Sequence, residues 1–233
     1  MDMIYRTLIF RLAIGIIVQM AIFGGLLFLP AGTLVWWRAR VLIGIIFLGF
    51  IATAAWLFPA HKELLTERLK SPIQTGQPLA DKIVLILFLI SFYSLIGFIP
   101  LDVFRFHLAA SPGLLVSSLG LFLFLAGWWI AFLALRENAF AAPVVKLQRE
   151  REQKVIDTGA YSVVRHPLYA GGVLFIAGIP LWLESYAGLL LALVPIGTLV
   201  LRILIEERFL RRRLKGYEAY MKRVRYRLIP FLW

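Results

Sequence analysis

The chain has 233 residues, 61% of them hydrophobic, and a mean hydropathy of +0.84. A soluble domain is nearer half apolar, and runs of membrane-spanning length recur, so the composition excludes an ordinary globular fold and points to an all-α, polytopic integral membrane protein. The absence of Cys and the scatter of three His exclude disulfides, thiolate chemistry and a clustered metal site, and a net charge of +12 reads as membrane orientation charge rather than as a nucleic-acid footprint.

In chain order, about six transmembrane helices are expected: 8–29, 41–58, 83–100, 114–135, 168–183 and 187–205. The first run is too long for a signal-peptide core and lacks a small-x-small cleavage site, so it reads as a retained helix. Between the second and third spans, "PAHKELLTERLKSPIQTGQPLADK" starts helix-like and then breaks at Pro72, Gly76 and Pro78. It reads as an interfacial linker that closes an N-terminal hairpin unit (1–82) and precedes a core (83–233). His61 and His107 read as interfacial. The fifth span has only 16 residues and at 1.5 Å per residue covers about 24 Å, short of a roughly 30 Å hydrocarbon core. Three residues, Glu184 to Tyr186, join it to the sixth, which predicts a tight helical hairpin.

Counting Lys and Arg sets the orientation. With the N-terminus cytoplasmic, 22 of the 25 fall on that side, and only Arg38, Arg40 and Arg105 lie opposite. Both termini are then cytoplasmic, "LDVFR" (101–105) is on the far side, and the basic tail can rest on anionic membrane lipids.

Chemistry concentrates in the last hundred residues. The charged loop "ENAF" through "KLQREREQKVIDTGAY" leads into "RHPLYAG" (165–171), and the sixth span ends in "RILIEERFL" (202–210). The residue before a proline is pushed out of the α region, so His166 is extended and Pro167 starts a helix at its first position. That helix N-terminus, with Arg165 and His166 alongside, is an anion site. Tyr161 and Tyr169 add aromatic faces. Arg202 and Glu206 share a helix face while Glu207 points about 100° away. The bland alternative, an interfacial ion pair beside an aromatic belt, accounts for each residue singly and less well for all together. An anion site facing carboxylates suits a zwitterionic, partly aromatic ligand at the cytoplasmic interface.

"GAYSVVRHPLYAG", "RILIEERFL" and "YEAYMKRVRYRLIP", in this order with a hairpin between, resemble the isoprenylcysteine carboxyl methyltransferase and phospholipid methyltransferase superfamily of integral membrane enzymes. The resemblance covers about 117–233, and "NAF…VVKLQ" before it resembles bacterial members, which implies a bacterial inner-membrane location. It implies S-adenosylmethionine as cofactor, a folded-back tail closing the pocket, and a lipophilic methyl acceptor such as an isoprenylcysteine-type carboxylate, a lipid or a small thiol. Carried over, Glu207 would accept the cofactor's ammonium with Glu206 in support. His166 and the segment Pro167–Leu168 would take its carboxylate. Tyr161, Tyr169, Gln148 and the backbone of Gln153, Lys154, Val155 and Ile156 would line it. Tyr217, Tyr220 and Pro230 would close over the adenosine, and Arg202 would face the acceptor. The alternatives are an NADPH-dependent membrane sterol reductase, favoured by "RRRLK" (211–215) and disfavoured by the two Glu, and a non-enzymatic membrane scaffold.

Overall fold

The computed structural model describes residues 3–233, with side chains from Tyr5 onward. Its elements are α1 (Met3–Ala31), α2 (Trp37–Leu57), α3 (Lys62–Arg68), α4 (Leu79–Leu101), α5 (Leu114–Glu137), α6 (Pro167–Trp182), α7 (Tyr186–Leu191), α8 (Leu193–Arg213) and α9 (Tyr217–Arg223), with no strand among the described residues. In lipid the backbone must satisfy its own polar groups, which these apolar sequences do as helices. Among the described residues, five stretches are long and apolar enough to cross a membrane: Tyr5–Ala31, Trp37–Leu57, Leu79–Phe106, Leu114–Glu137 and Tyr186–Arg213. The sixth apolar helix, α6, has 16 residues, the length read from the sequence, and antiparallel packing on α5 compensates for its short reach.

That packing depends on glycine. A Cβ on Gly171 would lie 2.5 Å from the Gly127 carbonyl oxygen, and one on Gly178 would lie 2.6 Å from the Gly120 carbonyl oxygen. Backbone therefore touches backbone at two places seven residues apart on each helix. In lipid, where apolar surface gains little by leaving a solvent as apolar as itself, such close contact is what holds helices together. Phe124, fully buried, fills the space between the two crossings and packs against Phe175 with centroids 4.6 Å apart and the rings tilted by 32°.

At the end of the bundle holding Arg38, α2 is clamped to the α6–α7 turn. The Arg38 guanidinium lies between the Trp37 and Trp182 rings and pairs with Glu184 at 2.8 Å, while Trp182 Nε1 donates to the Arg38 carbonyl oxygen at 2.9 Å. Ser185 caps α7 by accepting the Gly188 N–H at 2.7 Å and donates to Asp102 at 2.6 Å. The expected hairpin is thus built by α6, α7 and α8, with a break at Ala192 three residues before Pro195, whose nitrogen cannot continue the helical bonding.

At the opposite end, the segment read as a linker is ordered. Leu64 and Leu65 of α3 bury against Leu57, Leu135 and Ala141. α4 starts at Leu79, earlier than position 83, so Asp81 is a fully buried helix residue rather than a linker residue.

Candidate active site

His166 has φ −127° and ψ 59°, outside the helical region as its proline neighbour requires, and Pro167 is the first residue of α6. The tail reaches back to this corner. The N–H groups of Arg165 and His166 donate to the carbonyl oxygens of Tyr226 and Arg227, both at 2.9 Å. Arg165 Nη1 donates to the Val224 and Arg225 carbonyl oxygens at 2.8 and 2.6 Å. Leu214, Tyr217, Tyr220 and Val224 bury together beneath it, against Leu147 and Val155. The C-terminal segment is therefore folded back on the start of α6.

Between this corner, the 138–156 segment and α8 lies a cavity of about 100 Å³. Of the residues singled out in the sequence, Gln153, Lys154, Val155, Ile156, Tyr161, Arg165, His166, Leu168, Tyr169, Glu206, Tyr217 and Tyr220 line it. The Tyr220 hydroxyl donates to the Tyr161 carbonyl oxygen at 2.8 Å. Burial pushes the hydroxyls of Tyr161, Tyr217 and Tyr220 well above the usual tyrosine range, so they remain protonated donors and do not serve as bases. The first turn of α6 leaves N–H groups without intrahelical acceptors at the same cavity.

Glu206 and Glu207 are divided by the helix rotation. Glu206 faces the cavity and accepts the Tyr169 hydroxyl at 2.6 Å. Glu207 is buried away from it, bonded to Arg165 Nε at 2.6 Å, Arg227 Nε at 2.9 Å and His166 Nε2 at 3.3 Å. Of the two, Glu206 lines the cavity, while Glu207, to which the resemblance gives the cofactor's ammonium, ties the tail to α6. Arg202 is likewise committed. Its Nε lies 2.8 Å from Asp81 Oδ1 and its Nη2 donates to the Pro143 carbonyl oxygen, and it lines neither this cavity nor the larger one. Gln148 supports rather than lines. Its Nε2 donates to the Phe140 carbonyl oxygen at 2.8 Å, its Oε1 accepts from Arg151 at 2.6 Å, and its N–H donates to Gln153 at 2.9 Å. Pro167 starts α6 without lining the cavity, and Pro230 is exposed on the tail.

A second, larger cavity of about 420 Å³ adjoins the first, with Leu168 in the wall of both. Its sides are apolar residues of α1, α2, α5 and α6, among them Leu12, Ile16, Phe50, Trp128, Phe132 and Phe175. In the sequence these read as generic spans, and nothing in their local pattern separates a wall facing a cavity from one facing lipid. Asn138, Phe140 and Lys146 of the charged loop also line the smaller cavity, residues that the sequence marked as a stretch and not one by one. Among the described residues, no three His, Asp or Glu side chains gather as a metal set.

Compared with known families, residues 115–216 match the model for phospholipid methyltransferase. The match takes in α5, the loop, α6, α7 and α8, and stops before α9 and the rest of the tail. No curated protein matches the chain.

Proposed function

We propose, from the match of residues 115–216 to the phospholipid methyltransferase family, that this membrane protein moves a methyl group from S-adenosylmethionine to a lipophilic acceptor at the cytoplasmic edge of the bilayer. The observation that carries the reading is the junction at Leu168 of a polar cavity, which opens among loop and tail residues, with an apolar one set between spans.

The donor set suits the cofactor. The α6 N-terminus offers N–H groups to a carboxylate, Glu206 offers an acceptor for an ammonium, and Tyr161, Tyr217, Tyr220 and the 153–156 backbone offer faces and edges to a nucleoside. At about 100 Å³ the cavity is below the roughly 300–1,000 Å³ of small-molecule sites, so binding the whole cofactor requires its walls to open. When bound, the cofactor supplies an electrophilic methyl on a sulfonium. The chain's own contribution is alignment and exclusion of water, and positioning alone is worth up to ~7–11 kcal/mol of barrier.

An anionic acceptor, carboxylate or thiolate, needs no base. An amine acceptor must first lose a proton. Glu206 is the single carboxylate lining the smaller cavity among the described residues, and it cannot both neutralise the cofactor's ammonium and deprotonate a substrate. This favours an acceptor that arrives ready to attack.

Calorimetric titration with S-adenosylhomocysteine, with NADPH as competitor, tests the reading. Binding that NADPH leaves unchanged and that Glu206→Gln weakens by roughly tenfold or more, the worth of a charge-assisted hydrogen bond, is the expected result. NADPH binding with no response to S-adenosylhomocysteine would replace methyl transfer with reduction.

A further inference from the structure

The larger cavity is apolar except at one end. Gln19 and Tyr93 bond each other at 3.2 Å, and Thr53 accepts Trp128 Nε1 at 3.2 Å, so two of its polar groups are already paired. Arg68, the last residue of α3, is different. Among the described residues it is the single cation lining this cavity. Its Nη1 donates to the Ala141 carbonyl oxygen at 3.0 Å, which uses one of five guanidinium donors. Among the described residues no carboxylate lies within ion-pair distance of it, whereas Arg38, Arg151, Arg165, Arg202 and Arg227 each have one. Its neighbour Glu67 turns the other way, to Lys70 and Lys146.

Two facts show what Arg68 is open to. The residue is exposed, yet protein surrounds it closely enough that burial draws its ionisation below the usual arginine value, and the positive charge of Arg202 adds to the effect. Both hold for a side chain that lies in the cavity wall with its guanidinium only partly covered. A guanidinium stays charged there, and a charge without a counterion in apolar surroundings is costly. An anion brought in along the apolar wall removes that cost.

We infer that Arg68 selects the acceptor: the larger cavity takes a single-chain lipid whose monoanionic oxyanion head is held by the Arg68 guanidinium beside the cofactor cavity. One guanidinium matches one negative charge, and its planar fork suits two oxygens of one head. The cavity's 420 Å³ falls in the range that binds small ligands. Arg68 lies outside 115–216, so selection is exercised by the N-terminal part of the chain, and methyl transfer by the family domain. The word acceptor rests on the methyltransferase reading; the lipid-anion site does not.

The test uses the full chain in lipid nanodiscs, titrated with hexadecanoate, hexadecanol and hexadecyltrimethylammonium and read by tryptophan fluorescence, since Trp128 lines the cavity. Wild type binds hexadecanoate roughly tenfold or more tighter than the alcohol, and the ammonium most weakly. Arg68→Gln erases the preference, Arg68→Lys keeps most of it, and Ala54→Trp, which fills the cavity from α2, weakens anion and alcohol alike. Equal binding of hexadecanoate and hexadecanol to wild type overturns the proposal, as does a preference that survives Arg68→Gln. If Arg68→Gln fails to fold, the wild-type comparison still decides. S-adenosylhomocysteine binding is followed in parallel. Its absence alongside an intact, Arg68-dependent anion preference would remove the methyltransferase reading and leave the lipid-anion site standing.

Discussion

The Nε of Arg202 lies 2.8 Å from Oδ1 of Asp81, joining α8 to the first turn of α4 across 121 residues of sequence. Asp81 is fully buried and also accepts from Gln77 Nε2 at 2.7 Å and from the Val145 N–H at 3.0 Å. One carboxylate thus fixes α4, α8 and the loop that floors the smaller cavity. Breaking such a pair from one side leaves a buried charge without its partner, a loss of about 3–5 kcal/mol. Asp81→Leu is expected to lower the melting temperature sharply, and adding Arg202→Met to recover much of the loss. A double variant no better than the sum of the singles would mean that the two residues act independently.

Glu207 predicts a different kind of loss from Glu206. Removing its charge strands Arg165 and Arg227 together and loosens the tail, so Glu207→Gln should melt early and become susceptible to proteolysis after about residue 214. Glu206 has the Tyr169 hydroxyl as its bonded partner, worth about 1 kcal/mol, so Glu206→Gln should melt near wild type while losing cofactor affinity. Equal destabilisation by the two substitutions would sink this division of roles.

Much of this architecture was legible in the sequence because its signals are local. An apolar run of 18 or more residues sets a span, and His166-Pro167 sets a helix start whatever surrounds them. The choice between Glu206 and Glu207 was not legible, because it depends on how α8 is rotated once Arg165 and Arg227 have captured one of them. Asp81 was hidden in an apparent linker, since its meaning comes from Arg202, 121 positions on. Arg68 sits on a helix of seven residues, too short for periodicity to distinguish its faces, and the cavity it meets is made by four other helices.

The α5–α6 crossing gives a contrast between adjacent glycines. A Cβ at Gly171 would lie 2.5 Å from the Gly127 carbonyl oxygen, while one at Gly172 would meet only the Leu199 side chain at 3.5 Å, an ordinary contact. Gly171→Ala must separate two helix backbones, and is expected to cost about 1–3 kcal/mol. Gly172→Ala is expected to be neutral or slightly stabilising, as alanine favours the helix. Thermal unfolding of both variants in the same detergent measures the difference, and equal behaviour would show that the helices are not held by this contact.

Acid should act through α3. Glu67 is buried and pairs with Lys146 Nζ at 2.8 Å and with Lys70. Burial works against its charge, but the two ammonium groups outweigh it and hold the carboxyl below its ordinary value of 4.5. A carboxyl depressed on folding contributes stability that is fully present above its unfolded value and is lost as pH falls through the folded one. The anchoring of α3 is therefore constant through neutral pH and fails only on the acid side of the ordinary carboxylate range. Glu67→Gln removes it at every pH. The melting temperatures of wild type and Glu67→Gln should differ at about pH 6 and converge towards about pH 3. A gap that stays constant over that range would mean that Glu67 acts through packing rather than charge. Because Arg68 follows Glu67 directly, Glu67→Gln should also weaken the cavity's preference for hexadecanoate, measured above neutral pH where the lipid's own carboxylate is charged.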